Sequence, residues 1–134
     1  MPLTPFHIIA AAPIKKFFPN YFSWIWFSIV NILIDLEVIY YFLATGVPSH
    51  QFYHSLMGVT IIGIVCFIVG VLFNCKKIPL FVGCLLGSMS HYLLDGILYI
   101  EMNTIFYGLI SSTYLHIICV VLFILGIKVF QNKV

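Results

Sequence analysis

Residues 21–43 read YFSWIWFSIVNILIDLEVIYYFL, an apolar run that nevertheless carries Asn31, Asp35 and Glu37. Its length matches the ~20 residues a helix needs to cross a bilayer core. Pro19 and Asn20 lead into it, and the breaker Thr45-Gly46-Val47-Pro48 closes it. Three further apolar runs follow, at 55–73, 80–100 and 105–129, with Lys76, Lys77 and Pro79 between the second and third. Each is read as a helix, because an isolated strand leaves its backbone N–H and C=O groups unsatisfied in lipid. The expected fold is therefore all-α. It is a single polytopic membrane domain over residues 1–134 with about four transmembrane helices, preceded by a short N-terminal helix.

Composition agrees with that reading. Of the 134 residues, 63% are hydrophobic and 7% are charged. Soluble domains hold roughly half and a quarter respectively, so this chain could not clothe a water-facing surface in polar groups. A net charge of +2 and the absence of arginine argue against a nucleic-acid partner. Cys66, Cys75, Cys84 and Cys119 form no CxxC pair and read as small apolar packing residues. The first apolar run is too long, and too acidic, for a cleaved signal peptide.

The lysines set the expected orientation. Lys15 and Lys16 precede the first span, Lys76 and Lys77 join the second to the third, and Lys128 and Lys133 follow the fourth. With four spans all of them fall on one side. The positive-inside bias makes that side the cytoplasm of the cell's plasma membrane, with both termini there.

The four acids are Asp35, Glu37, Asp95 and Glu101. At 1.5 Å per residue, Asp35 lies roughly 12 Å, Asp95 roughly 8 Å and His91 roughly 14 Å below the outer ends of their spans. The acids thus occupy the outer half, out of reach of any lysine. A carboxylate in hydrocarbon costs several kcal/mol unless it is neutralised. A proton, a neighbouring histidine or a metal cation can do this. His91 and Asp95 are four residues apart and share a helical face, a common way to present two metal ligands. The same spacing puts Asn31 and Asp35 on one face, whereas Glu37 points elsewhere. His50 and His54 stand at the mouth of the second span, and His116 reads as polar glue between helices. Gly83-x-x-x-Gly87 predicts a close helix crossing.

In order, these residues resemble the YdjM-like membrane-bound metal-dependent hydrolases. Met1-Pro-Leu-Thr-Pro-Phe-His7 is similar to that family's opening Met-Pro-x-Thr-x-x-His motif. Asp35-Leu-Glu37 resembles its Pro-Asp-(Ile/Leu)-(Asp/Glu) motif, with Ile34 in place of proline. His50-Gln-Phe-Tyr-His54-Ser55 resembles His-Arg-x-x-x-His-Ser, with Gln51 in place of arginine. Ser90-His91-Tyr-Leu-Leu-Asp95 matches Ser-His-x-x-x-Asp. The likeness covers residues 1–100, and its histidine and acid spacing is more distantly similar to zinc-dependent phospholipase C and P1-type nucleases.

The resemblance implies a metal site of His7, Asp35, His54, His91 and Asp95, with Glu37 and His50 as catalytic groups. One or two divalent cations would sit there, zinc first and manganese second. The substrate would be a lipid or amphiphile whose phosphoester is cleaved by metal-activated water. His7 falls on the lysine side by the topology, so it joins the others only if residues 4–14 fold back as a re-entrant half-helix. Two alternatives stand beside the hydrolase. One is a proton- or metal-ion-transporting subunit, and the other is a non-enzymatic assembly protein whose acids fix helix pairing.

Overall fold

In a computed structural model the chain is all-helical, and residues 8–9, 11–47, 49–99, 104, 107–108 and 112–131 are described below. Five helices, numbered in chain order, carry these residues: α1 Ala12–Phe17, α2 Trp24–Thr45, α3 Leu56–Leu72, α4 Lys77–Leu98 and α5 Ser112–Gln131. No strand occurs among the described residues. Each of the four apolar runs contains one long helix. Two helices, α2 and Lys77–Ile97 of α4, are both long and apolar enough to cross a membrane.

The helix ends follow local chemistry. The hydroxyl of Ser23 accepts the N–H of Trp26, so α2 starts at Trp24, later than the apolar run itself. Gly46, at φ +75°, closes α2 with its N–H on the carbonyl of Phe42. Ser55 caps α3 by accepting the N–H of Gly58 at 3.0 Å. Asn74, at φ +57°, ends α3 in the left-handed region, and Cys75 N–H bonds back to Gly70 O at 3.0 Å. Pro79 falls in the first turn of α4, where its missing N–H costs nothing, so α4 begins at Lys77 and not after the proline.

The fourth run departs most from expectation. Residues 107–108 form a turn with Gly108 at φ +74°, and Gly108 N–H donates to Ile97 O at 3.2 Å. Thr104 donates its hydroxyl to Gly96 O at 2.6 Å. Thr104 and Gly108 thus both bond back to the last turns of α4, and α5 is described from Ser112.

Helices α2, α3 and α4 form the centre. Ser23 N–H donates to Pro79 O at 3.0 Å, a Cβ on Gly87 would lie 3.1 Å from Phe27 O, and Asn31 meets His91. Equivalent levels are therefore met in the same order, and α2 and α4 run parallel. Helix α3 is antiparallel to both, with Gly63 against Ser88 near its middle and Gly70 against Leu80 near its end. Val30, Ile34, Val59, Cys66, Leu80 and Cys84 are the buried apolar core between them. Cys66 and Cys84 are free thiols within it, the packing role expected of them. Trp24 Nε1 donates to Ile8 O at 2.7 Å, and Gly126 of α5 lies against Ile9, so the N-terminal segment sits between α2 and α5.

Polarity is inverted relative to a water-soluble bundle. Asn31, Glu37, His54, Ser88, His91 and Asp95 are buried, while Ile25, Leu43, Met57, Leu72 and Ile117 are more than half exposed. Continuous apolar outer faces of this kind belong against a hydrophobic surround.

One contact fixes the site-side loop. A Cβ at Gly58 would run into the carbonyl oxygen of Phe52 and lie 2.8 Å from the Cα of Tyr53. Gly58→Ala is expected to destabilise the protein by ~1–3 kcal/mol, the scale of overpacking against atoms that cannot move away. Thermal unfolding in detergent, with Thr60→Ala as an exposed control on the same helix, measures this.

Candidate metal centre

Three chain segments deliver the polar side chains to one point. Helix α2 supplies Asp35, the turn before α3 supplies His54, and α4 supplies His91 and Asp95. One nitrogen or oxygen from each residue falls within a group whose members all lie within 4.8 Å of one another. His91 Nε2 is 3.3 Å from Asp35 Oδ1 and 3.1 Å from Asp95 Oδ2. His54 Nε2 is 3.8 Å from Asp35 Oδ1 and 3.6 Å from Asp95 Oδ2. The two imidazole rings stand edge to face, with centroids 5.3 Å apart.

Each imidazole is held from behind. His91 Nδ1 lies 2.8 Å from Asn31 Oδ1, and the Asn31 amide nitrogen donates to Phe27 O at 2.8 Å. The amide orientation leaves only an acceptor for His91, so Nδ1 carries the hydrogen. His54 Nδ1 lies 3.0 Å from Glu37 Oε2. That carboxylate also accepts the N–H groups of Gln51 and Tyr53 at 3.0 Å each. With both Nδ1 atoms donating, each ring turns the lone pair of Nε2 inward. This is the outer-shell arrangement that fixes the tautomer of a metal-binding histidine.

The donor set fits a cation. Two imidazole Nε2 atoms and two carboxylate oxygens converge on one point, which is the donor set of a cation site. Lys77, the lysine on α4, is about 27 Å from Asp95 along that helix. His54 Nε2 is buried and has no hydrogen-bond partner among the described residues. The spacings of 3.1–3.8 Å also suit a ligand shell. Four tetrahedral ligands at ~2.0–2.2 Å from a shared ion stand ~3.3–3.6 Å apart. The four groups can therefore hold a metal ion.

The centre is closed on most sides. The side chains of His54, His91 and Asp95 are at most 5% exposed, whereas that of Asp35 is 15% exposed, so access is from the Asp35 side. His50 is at the rim. Its ring stacks on Tyr99 with centroids 4.1 Å apart and meets His54 edge-on at 4.7 Å.

Of the residues singled out in the sequence, Asp35, His54, His91 and Asp95 are brought together. His7 and Glu101 lie outside the described residues. Glu37, expected among the catalytic groups, has its oxygens engaged by Gln51, Tyr53 and the rear nitrogen of His54. Asn31, placed on the Asp35 face by its i,i+4 spacing, was not assigned to the site from sequence; its bond to His91 gives it that place. Compared with protein-family models, with curated proteins and with solved structures, the chain finds no match.

The bond from Asn31 to His91 supplies a direct test. Asn31→Leu is expected to lower metal affinity by ~10–100-fold, the usual effect of losing such a rear partner. Competition against a chromophoric chelator measures the affinity, and unchanged helicity by circular dichroism separates it from misfolding. An affinity equal to that of the unaltered protein would detach Asn31 from the centre.

Proposed function

We propose that this chain is a membrane-embedded metal-dependent hydrolase that cleaves a phosphoester of a lipid or amphiphile, of the YdjM-like kind. The observation that carries the proposal is the convergence of two rear-anchored imidazoles and two carboxylates on one point. Asp35, His54, His91 and Asp95 would hold one divalent ion, with zinc preferred for a mixed nitrogen and oxygen donor set. When bound, such an ion polarises a phosphoryl oxygen and lowers the pKa of a water towards ~7.

The protein's own groups supply orientation and proton handling. Asn31 and Glu37 hold the two histidines in the tautomer that presents Nε2, so Glu37 acts as a positioning residue. His50 is the ionisable ring beside the centre that is neither gathered into it nor placed behind it, and it takes the proton released during hydrolysis. Asp35 borders the open side, where the scissile group enters. The apolar outer faces keep bulk water away and suit a substrate that arrives from the bilayer.

The membrane reading has four spans, with the centre in the outer half and both termini cytoplasmic. Its support is topological. Helices α2 and α4 are parallel neighbours, so if both cross in the same direction, the chain between them has to return. Helix α3 is apolar and about 26 Å long, close to the ~30 Å hydrocarbon core. Helix α5 then brings the chain back to the side where α2 began.

Two experiments test these statements. Elemental analysis of purified protein is expected to find about one divalent ion per chain, lost in His91→Ala and after chelation. Hydrolysis of a lipid phosphoester should vanish with it. Metal-free protein whose activity survives both changes would overturn the proposal. For topology, single cysteines at Gln51 and Asn74 in a cysteine-depleted background should react with an impermeant reagent from opposite sides of sealed vesicles. Labelling from the same side would refute the return through α3.

A further inference from the structure

At the end of the bundle opposite the metal centre, a cavity of about 380 Å³ opens between the entry to α2 and the start of α4. Lys15 and Lys76 stand on its walls, with Asn20, Ser23 and Trp26 between them, and none of the lining residues is acidic. Lys15 is fixed there, because Nζ donates to Pro19 O at 2.6 Å and to Phe22 O at 3.2 Å. An ammonium has three N–H donors, so one is left over. Lys76 occupies the cap position of α4, and no side chain caps that helix. The positive end of the helix dipole therefore adds to the lysine charge. Lower in the cavity, Phe22, Ile25 and Leu80 give an apolar floor.

We infer that this cavity binds the phosphate headgroup of an anionic phospholipid from the leaflet on the lysine side. The upper part offers two ammonium groups, an amide and a hydroxyl to phosphate oxygens. The floor, with the exposed side chains of Ile25 and Ile78 beside it, receives the first carbons of an acyl chain. Trp26 lies at the level where an indole ring favours the boundary between headgroup and hydrocarbon. Basic pockets between membrane helices take up acidic headgroups for these reasons. A zwitterionic headgroup brings a quaternary ammonium towards the same two lysines and is disfavoured. The inference rests on the bilayer embedding proposed above and not on the metal chemistry.

Native mass spectrometry of the full chain in detergent, offered phosphatidylglycerol and phosphatidylcholine in equal amounts, tests it. Retention of phosphatidylglycerol is expected to dominate, and Lys15→Gln and Lys76→Gln should each weaken it by about fivefold. Lys128→Gln, on α5 and not among the residues lining the cavity, removes the same charge and should leave retention unchanged. His91→Ala should also keep the lipid, which separates failure of the metal centre from failure of this site. Equal retention of both lipids, or an equal effect of Lys128→Gln, would overturn the inference. So would binding of inorganic phosphate with no preference between lipids, which would mark a site for soluble anions.

Discussion

Carboxyl groups placed among apolar helices have to be answered by a proton, a hydrogen-bond donor or a cation, and the side chains around Asp35 and Asp95 meet that requirement. Asp35 and Asp95 come from parallel helices and face each other across two imidazoles. Ordinarily lysine or arginine would answer them. Here the chain has no arginine, and Lys76 and Lys77 stand at the opposite end of α4 from Asp95. With their rear nitrogens engaged by Asn31 and Glu37, both histidines aim their front nitrogens at the two carboxylates. A cation satisfies all four groups at once. That requirement also accounts for the small residues nearby, because α2 and α4 must approach closely for their polar faces to meet. Gly83 and Gly87 remove the side chains that would hold them apart.

Packing and chemistry therefore share the same interface. The apolar core of Val30, Ile34, Val59, Leu80 and Cys84 lies directly beneath the polar group on the same three helices. In lipid, apolar burial gives little drive for helices to associate, and shape fit and interhelical hydrogen bonds take its place. The Asn31–His91 bond joins α2 to α4, and the Glu37 bonds join α2 to the turn before α3. Both tie the bundle together while aiming the ligand atoms.

Much of this was legible in the sequence. The long apolar runs gave the helices, because hydrophobic length is a strong signal. The i,i+4 relation of His91 and Asp95 survives as a true shared face, and the motif order selected Asp35 and His54 alongside them. Other features depend on tertiary contacts that spacing does not encode. Glu37 is two residues from Asp35 and points away from it, as a helix requires. Only the folded loop reveals that it meets the backbone of Gln51 and Tyr53 and the rear of His54. Asn31 had a visible spacing but no visible partner, since His91 is sixty positions distant. The turn at Gly108 was hidden because it lies in an apolar run and is set by a bond to Ile97, a contact that spacing does not encode.

The division of the centre among segments bears on how it is built. Asp35 and His54 belong to the hairpin of α2 and α3, which is synthesised first and already contains Glu37 to aim His54. His91 and Asp95 arrive together on α4, and His91 acquires its orienting partner only on docking beside Asn31. The hairpin alone is thus a half-site with one correctly presented imidazole. Docking of α4 completes both the coordination set and the helix packing in one step. Metal capture would then act as a latch on the last stage of assembly, and a chain starved of metal would reveal itself by α4 parting from its neighbours before the hairpin comes apart.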